Sequence, residues 1–265
     1  MKKSILVCSV SLLSVLVLLP LSGFAQTSQE KGLEIVMEAD KRDTGWGDIK
    51  TEAVMTLRNS HGESSIRKNR SKILEVEGDG DKSLIIFDTP ADIKGTAFLS
   101  HTHALKNDDQ WLFLPSLKRV KRVSSSNKSG PFLGSEFAYE DLSSQEIEKY
   151  AYNYIKDEVI DGRDSYVIER VPQYKKSGYK RQMVWVDKEY YQPLKIDFYD
   201  RKNALLKTLT FHGYTQYLKK YWRPGRLEMK NHLTKKSTTL TWEKYEFQTG
   251  LNKRDFDKNS LKRAR

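Results

Sequence analysis

Between Asp48 and Phe247, apolar and polar side chains alternate with a period of two, whereas a single stretch ahead of them carries the period of a helix. In that stretch, residues 28–46, Leu33, Val36, Met37 and Asp40 fall at helical spacing, with Glu34 and Glu38 on another face. Thr27 or Ser28 can cap its start, and Gly45 with Gly47 can end it. From Ile49 onward the pattern is that of strands: Ile49, Thr51, Ala53, Met55 and Leu57 alternate with Lys50, Glu52 and Arg58. Further strand-like runs occupy 64–76, 84–87, 96–103, 111–114, 147–160, 165–171, 179–186, 194–199, 205–217, 227–233 and 238–247.

Turn signals separate these runs, among them Gly78-Asp79-Gly80-Asp81, Asp88-Thr89-Pro90, Asp161-Gly162, Gln192-Pro193 and Asp200-Arg201-Lys202-Asn203. With no internal repeat and no long linker, the expectation is one domain: a mainly β (α+β) fold with a single strongly curved antiparallel sheet. The sheet forms an open half β-barrel whose concave face is covered by the N-terminal helix. A sheet of about eleven strands encloses more space than its own side chains fill, and one amphipathic helix is a small plug. A cavity is therefore expected. Leu194, Ile196 and Phe198 alternate with Lys195, Asp197 and Tyr199, and the apolar set expected to line the cavity is Met55, Phe98, Trp111, Phe113, Trp185, Ile196, Phe198, Leu209 and Phe211.

One block stands apart from the strand pattern. After Trp111-Leu112-Phe113-Leu114, the chain stops at Pro115 and enters a basic run, Lys118-Arg119-Val120-Lys121-Arg122. A polar loop follows, and then Phe132 and Leu133 between Gly130 and Gly134. An apolar tip between glycines and beside cations suits a lid, Phe132 and Leu133, over something greasy. Lys118, Arg119, Lys121 and Arg122 would then meet an anionic head group or an acidic partner. The alternative is an ordinary surface loop whose Phe and Leu tuck into the core.

This block, together with Asp92-Ile93-Lys94-Gly95-Thr96-Ala97-Phe98-Leu99, Trp185-Val186-Asp187-Lys188, Pro193-Leu194-Lys195-Ile196 and Lys207-Thr208-Leu209, resembles the outer-membrane lipoprotein-sorting-protein family. That family is a branch of the LolA/LolB-like periplasmic carriers. The likeness covers most of the chain after Ile49 and ends near Phe256 and Leu261. Its pieces Leu114-Pro115-x-Leu117-Lys118-Arg119-Val120 and Phe132-Leu133-Gly134-Ser135 are specific for the branch rather than for LolA itself. The resemblance implies a carrier that takes a lipid or lipoprotein from an inner-membrane transporter and passes it toward an outer-membrane acceptor. It does not name the cargo.

The ends of the chain fit that picture. Lys2 and Lys3, an apolar run over residues 5–19, Pro20 and the small residues Ser22, Gly23 and Ala25 read as a signal peptide, residues 1–25, cut after Ala25. Residues 26–265 then form the carrier domain in the periplasm. The single cysteine, Cys8, lies inside the signal, so the exported chain has no disulfide and no thiolate chemistry. The formal charge is +11, or +9 without Lys2 and Lys3. Such a balance often signals nucleic acid, but export leaves anionic membranes, acidic lipid heads or an acidic protein face as partners. The basic end, residues 253–265, reads as a solvated tail.

Catalytic patterns are lacking. There is no G-x-S-x-G elbow, no H-E-x-x-H pair and no phosphate loop. His101 and His103 share a strand face but have no third ligand at a supporting spacing, so neither a metal nor a cofactor is expected. Asp79, Asp81, Asp108 and Asp109 read as turn acids, and Tyr150, Tyr152 and Tyr154 as cross-strand packing or a cavity mouth. The expectation is a non-enzymatic, monomeric carrier of acyl chains. The alternative is an accessory subunit of an inner-membrane (RND-type) transporter or envelope complex.

Overall fold

The computed structural model describes residues 26–124 and 126–263, and the predicted signal peptide lies outside the described residues. Helix α1 spans Ser28–Asp43. Thr27 Oγ1 accepts from the Glu30 amide (3.2 Å) while the Glu30 carboxylate accepts from the Thr27 amide (2.9 Å), a reciprocal cap that satisfies two otherwise orphaned donors.

The strands are β1 (Asp48–Arg58), β2 (Ser64–Leu74), β3 (Lys82–Thr89), β4 (Ala97–His101), β5 (Asp109–Leu114), β6 (Arg119–Val123), β7 (Tyr150–Ile160), β8 (Arg163–Pro172), β9 (Tyr179–Asp187), β10 (Pro193–Asp200), β11 (Leu205–Tyr217), β12 (Tyr221–Asn231) and β13 (Ser237–Phe247). They make one open antiparallel sheet in the order β6-β5-β4-β3-β2-β1-β13-β12-β11-β10-β9-β8-β7. Period-two alternation and tight turns explain the pairing of sequential strands as hairpins. The curved half-barrel and the one α-helix among the described residues agree with the sequence reading. The strand that periodicity missed is β6, which sits inside the basic run: Val120 and Val123 are its only apolar residues.

This order sends the chain from one edge of the sheet, β6, to the other, β7, so residues 124–149 must cross the concave side. The crossing is tied down along its length. Its own backbone closes a small hairpin, with the Phe132 amide on the Phe137 carbonyl (2.7 Å) and the Glu140 amide on the Lys128 carbonyl (2.8 Å). Asp141 meets Lys207 of β11 at 2.7 Å, and their side chains keep only 6% and 5% of their surface exposed. The Tyr179 hydroxyl donates to the other oxygen of Asp141 (2.8 Å), and Lys207 also donates to the Glu136 carbonyl (2.9 Å). Next to it the buried Glu140 carboxylate accepts from Tyr174, Ser177 and the Gly178 amide.

Helix α1 lies over β7 with Gly32, Ile35, Val36 and Ala39 toward the bowl, one position out of phase with the stripe expected from Leu33, Val36 and Met37. Leu33 and Met37 are 40% and 55% exposed. The cause is Gly32: a Cβ there would stand 2.8 Å from the Tyr154 amide nitrogen, so only glycine lets the helix backbone come this close to β7. The C-terminal end also departs from the solvated-tail reading. Phe256 and Leu261 are buried on the convex face against Leu84, Ile86, Ala97, Leu99 and Phe113. Sheet β3–β5 is thus apolar on both sides.

The Asp141–Lys207 pair carries a stability prediction. Removing one member leaves the other charge buried and alone, so Lys207→Met should lower unfolding free energy by about 3–5 kcal/mol. Urea unfolding of the variant beside the wild type measures this.

Candidate functional site

The curvature of the sheet leaves a cavity of about 940 Å³ between its concave face, α1 and the crossing. This is near the top of the range of roughly 300–1,000 Å³ in which small-molecule pockets fall. One wall, from β8 to β13, is mainly apolar: Ile168, Val184, Val186, Ile196, Phe198, Leu209, Phe211, Leu227 and Leu240, with Tyr152 and Tyr179, interrupted by Arg170, Gln182 and Arg223. The facing wall, from β1 to β3, mixes Ile49, Ile73 and Ile85 with Thr51, Asn69, Ser71 and Ser83. Val36, Ala39, Asp40 and Asp43 of α1 border it on one side, and Phe132, Phe137 and Leu142 of the crossing on another.

Of the residues expected to line such a cavity, Met55, Ile196, Phe198, Leu209 and Phe211 do border it. Phe98 stands one layer back, fully buried behind Phe132 with ring centroids 5.2 Å apart. Trp111, Phe113 and Trp185 lie on the opposite face. Trp111 and Phe113 belong with Phe256 and Leu261 under the C-terminal segment. Trp185 donates its indole N–H to Glu158 (2.7 Å) and carries Lys195 4.0 Å over its ring. Strand parity explains this: Val184 and Val186 face the bowl, so Trp185 between them cannot.

The apolar tip also takes a place other than that of a mobile lid. Phe132 is wholly buried (0%) among Phe87, Phe98, Met55 and Tyr139, and only its cavity-side edge borders the empty space. Leu133 holds a left-handed backbone (φ 49°), and its carbonyl accepts from Arg67 (2.7 Å). The pair is a core plug at one end of the bowl. The basic run is remote from the cavity: Lys118, Arg119, Lys121 and Arg122 border none of it and are all exposed. Lys121 lies opposite Leu112, whereas Arg122 lies opposite Trp111 and binds Asp109, so the cations divide between the two faces of an edge strand. Of the two histidines, His101 Nε2 meets the Phe256 carbonyl (2.8 Å), and His103 sits between Asp79 (2.8 Å) and Asp109 (3.4 Å).

What periodicity did not show is an acidic rim. Asp40 and Asp43 come from α1, Glu75 and Asp81 from the ends of the β2–β3 turn, and Glu146 and Glu148 from the crossing; all border the cavity. Burial pushes the Asp81 carboxyl up to about 7; the Val76 amide opposes the shift, while Glu146, Glu75 and Asp43 add to it. Burial likewise raises Asp40, with Glu148 and Glu75 adding repulsion. It also raises Asp43, although Arg223 lies 2.5 Å away. No sequence signal groups these acids, because they come in three pairs from separate segments that lie 32 to 108 positions apart.

If Phe132 is core, Phe132→Ala should cost about 3–5 kcal/mol in chemical unfolding, whereas a lid residue would cost almost nothing. For Asp81, the folded carboxyl resists ionising relative to an unfolded value near 3.9, so the penalty is absent in acid, grows through the interval and is complete above about 7. Asp81→Asn, which can still accept from the Val76 amide, should raise the thermal midpoint at about pH 8 and leave it nearly unchanged at about pH 4.

Comparison with known proteins adds a family. A protein-family model described only as uncharacterized protein matches residues 79–263. No curated protein matches the chain. Among solved structures, a domain from Vibrio parahaemolyticus classed with outer membrane lipoprotein-sorting proteins is 61% identical, with a TM-score of 0.87 over 88% of this chain and 99% of its own. A DUF1329 family protein from Desulfovibrio piger is 29% identical, with a TM-score of 0.84 over 89% and 100% of the two chains. A LolA superfamily protein from Nitrosomonas europaea is 22% identical, with a TM-score of 0.69 over 89% and 99%, a likeness of fold.

Proposed function

The chain belongs to the outer membrane lipoprotein-sorting protein family, and we propose that it is a non-enzymatic periplasmic carrier that holds acyl chains of a lipid or lipoprotein in the bowl and moves them toward the outer membrane. The observation that carries this reading is the cavity: an unfilled space of about 940 Å³ with one mainly apolar wall. Burying an acyl chain is worth about 0.8 kcal/mol per CH2, so a 16-carbon tail represents roughly 12 kcal/mol against water and does not cross an aqueous space unshielded. The carrier has to hide that tail and still release it. The fixed crossing closes one end, which leaves α1 as the movable side. Its first half is anchored by Gly32 against β7 and by Ile35 and Val36 in the core, whereas its last turn and the segment after it are held by polar contacts, Arg223 to Asp43 and Glu75 to the Gly45 and Gly47 amides (both 2.7 Å).

In this reading the donor is an inner-membrane transporter and the acceptor lies at the outer membrane. Lys118, Arg119 and Lys121, on an exposed edge strand away from the cavity, serve docking to an anionic membrane or an acidic partner face. A second reading, an accessory subunit of a transporter, draws on that same basic edge and treats the cavity as incidental.

A fluorescent 16-carbon fatty-acyl probe separates the two. The wild type should bind it saturably. Ser71 borders the cavity without a side-chain hydrogen bond among the described residues, so Ser71→Phe should fill space without breaking a contact. It should weaken the probe about tenfold or more while leaving the thermal midpoint in place. Absence of binding in the wild type would favour the accessory subunit.

A further inference from the structure

The cavity is not uniformly greasy. On the β1–β3 wall Thr51 and Asn69 are only 4% and 6% exposed, and across from them Gln182 is 2% exposed. Among the described residues no protein group bonds to the Thr51 hydroxyl or to the Asn69 amide nitrogen, and Gln182 uses only its oxygen, on Arg170. A fully buried amide nitrogen without a partner is rare, so Asn69, with the unbonded Thr51 hydroxyl and Gln182 amide nitrogen around the same space, points to hydrogen-bonding groups on what fills it.

At the rim, a chain of formal charge +11 gathers carboxylates. Some are satisfied internally: Asp43 by Arg223 (2.5 Å), Glu75 by two backbone amides, Glu146 by the Ser144 hydroxyl (2.6 Å) and Asp81 by the Val76 amide (3.2 Å). Asp40 and Glu148 receive no side-chain hydrogen bond and no cation among the described residues. The cations nearby are engaged, Arg170 by Gln182 and the Tyr150 ring and Arg223 by Asp43. No group of three or more of these acids among the described residues converges tightly enough to hold a metal ion. A tethered organic cation suits such a spread-out rim, because it needs no closed coordination shell.

Resting on the carrier reading, we propose that the cargo is an amphiphile bearing an ammonium group. Its acyl chain lies on the wall of Ile196, Phe198 and Leu209, its linkage carbonyls or hydroxyls reach Thr51 and Asn69, and its cation sits between Asp40 and Glu148. Burial, with repulsion among the neighbouring acids adding to it, raises the Asp40 and Asp81 carboxyls, and a bound cation would offset both contributions.

The test uses three single-chain probes of equal length, dodecylamine, dodecanol and dodecanoic acid, each below its micelle concentration. Binding is read from the fluorescence of Trp222 and Trp242, which border the cavity. At neutral pH dodecylamine should bind about tenfold more tightly than dodecanoic acid, and added salt should shrink the margin. In Asp40→Asn combined with Glu148→Gln, the amine-to-alcohol affinity ratio should collapse toward unity; both residues are exposed, and a thermal melt checks that the variant is folded. Dodecanoic acid matching the amine in the wild type, or a ratio that survives in the variant, would overturn the head-group assignment while the carrier reading stands. If none of the three binds, both fall together.

Discussion

The fold depends on a single topological requirement, that the chain travel from one edge of an open sheet to the other. Strands β1 to β6 are laid down outward in one direction, and β7 to β13 return from the far edge until β13 pairs with β1. Residues 124–149 have to bridge the two edges across the concave face, where backbone amides and carbonyls cannot be left without partners. The pinning of Asp141 by Lys207 and Tyr179, and of Glu140 by Tyr174, Ser177 and Gly178, answers that demand. Charged groups this deep are costly to remove from water, and what they secure here is the position of the bridge.

Once the bridge is fixed, the cavity follows. Phe132 enters the bowl from the crossing and completes the packing around Phe87, Phe98 and Met55 at one end, while Phe137 packs with Tyr179, Ile196 and Phe198 on the other wall. No comparable insert reaches the other end, where α1 presents Val36, Ala39 and two aspartates instead of large apolar side chains. The apolar wall there faces open space. A well-packed core would exclude acyl chains by the same close packing that stabilises it, so a carrier needs this uneven division between a filled end and an empty one.

Much of the architecture was legible because strand periodicity is written into the side chains: the curved sheet, the single helix and most strand positions read directly from alternation. Facing was less legible where both sides of the sheet are apolar. On β5, Leu112 packs toward the bowl and Phe113 toward Phe256, and both are large and apolar, so alternation alone cannot say which is inside. The aromatic weight of Trp111 and Trp185 pointed the wrong way, because tryptophan also suits a half-exposed outer face where it can donate to Glu158 or sit under Lys195. The phase of α1 was masked by Gly32, which contacts through its backbone and so registers in no hydrophobic pattern. The acidic rim was out of reach altogether, since its members meet only when the turn, helix and crossing are folded together.

Charge is consequently partitioned by location rather than by net balance. Lys118, Arg119 and Lys121 stand exposed on the outer edge, where charges reach about 8–10 Å at moderate ionic strength and, on the proposed reading, would meet a membrane or partner. The carboxylates stand at the mouth of the cavity, where partial burial strengthens their effect and confines it to whatever enters. A protein with both features can be drawn to an anionic surface by one charge while selecting its contents by the other. On the proposed carrier reading the helix would link the two functions mechanically: its Gly32 and Ile35 end packs against β7 and the core, whereas its far end contributes Asp40 and Asp43 to the rim and is held by Arg223 on Asp43 and by Arg42 on the Glu189 carbonyl and the Tyr191 ring. An opening of that far end would widen the mouth and disperse the rim in one movement, so release of the chain and release of the head group would be coupled.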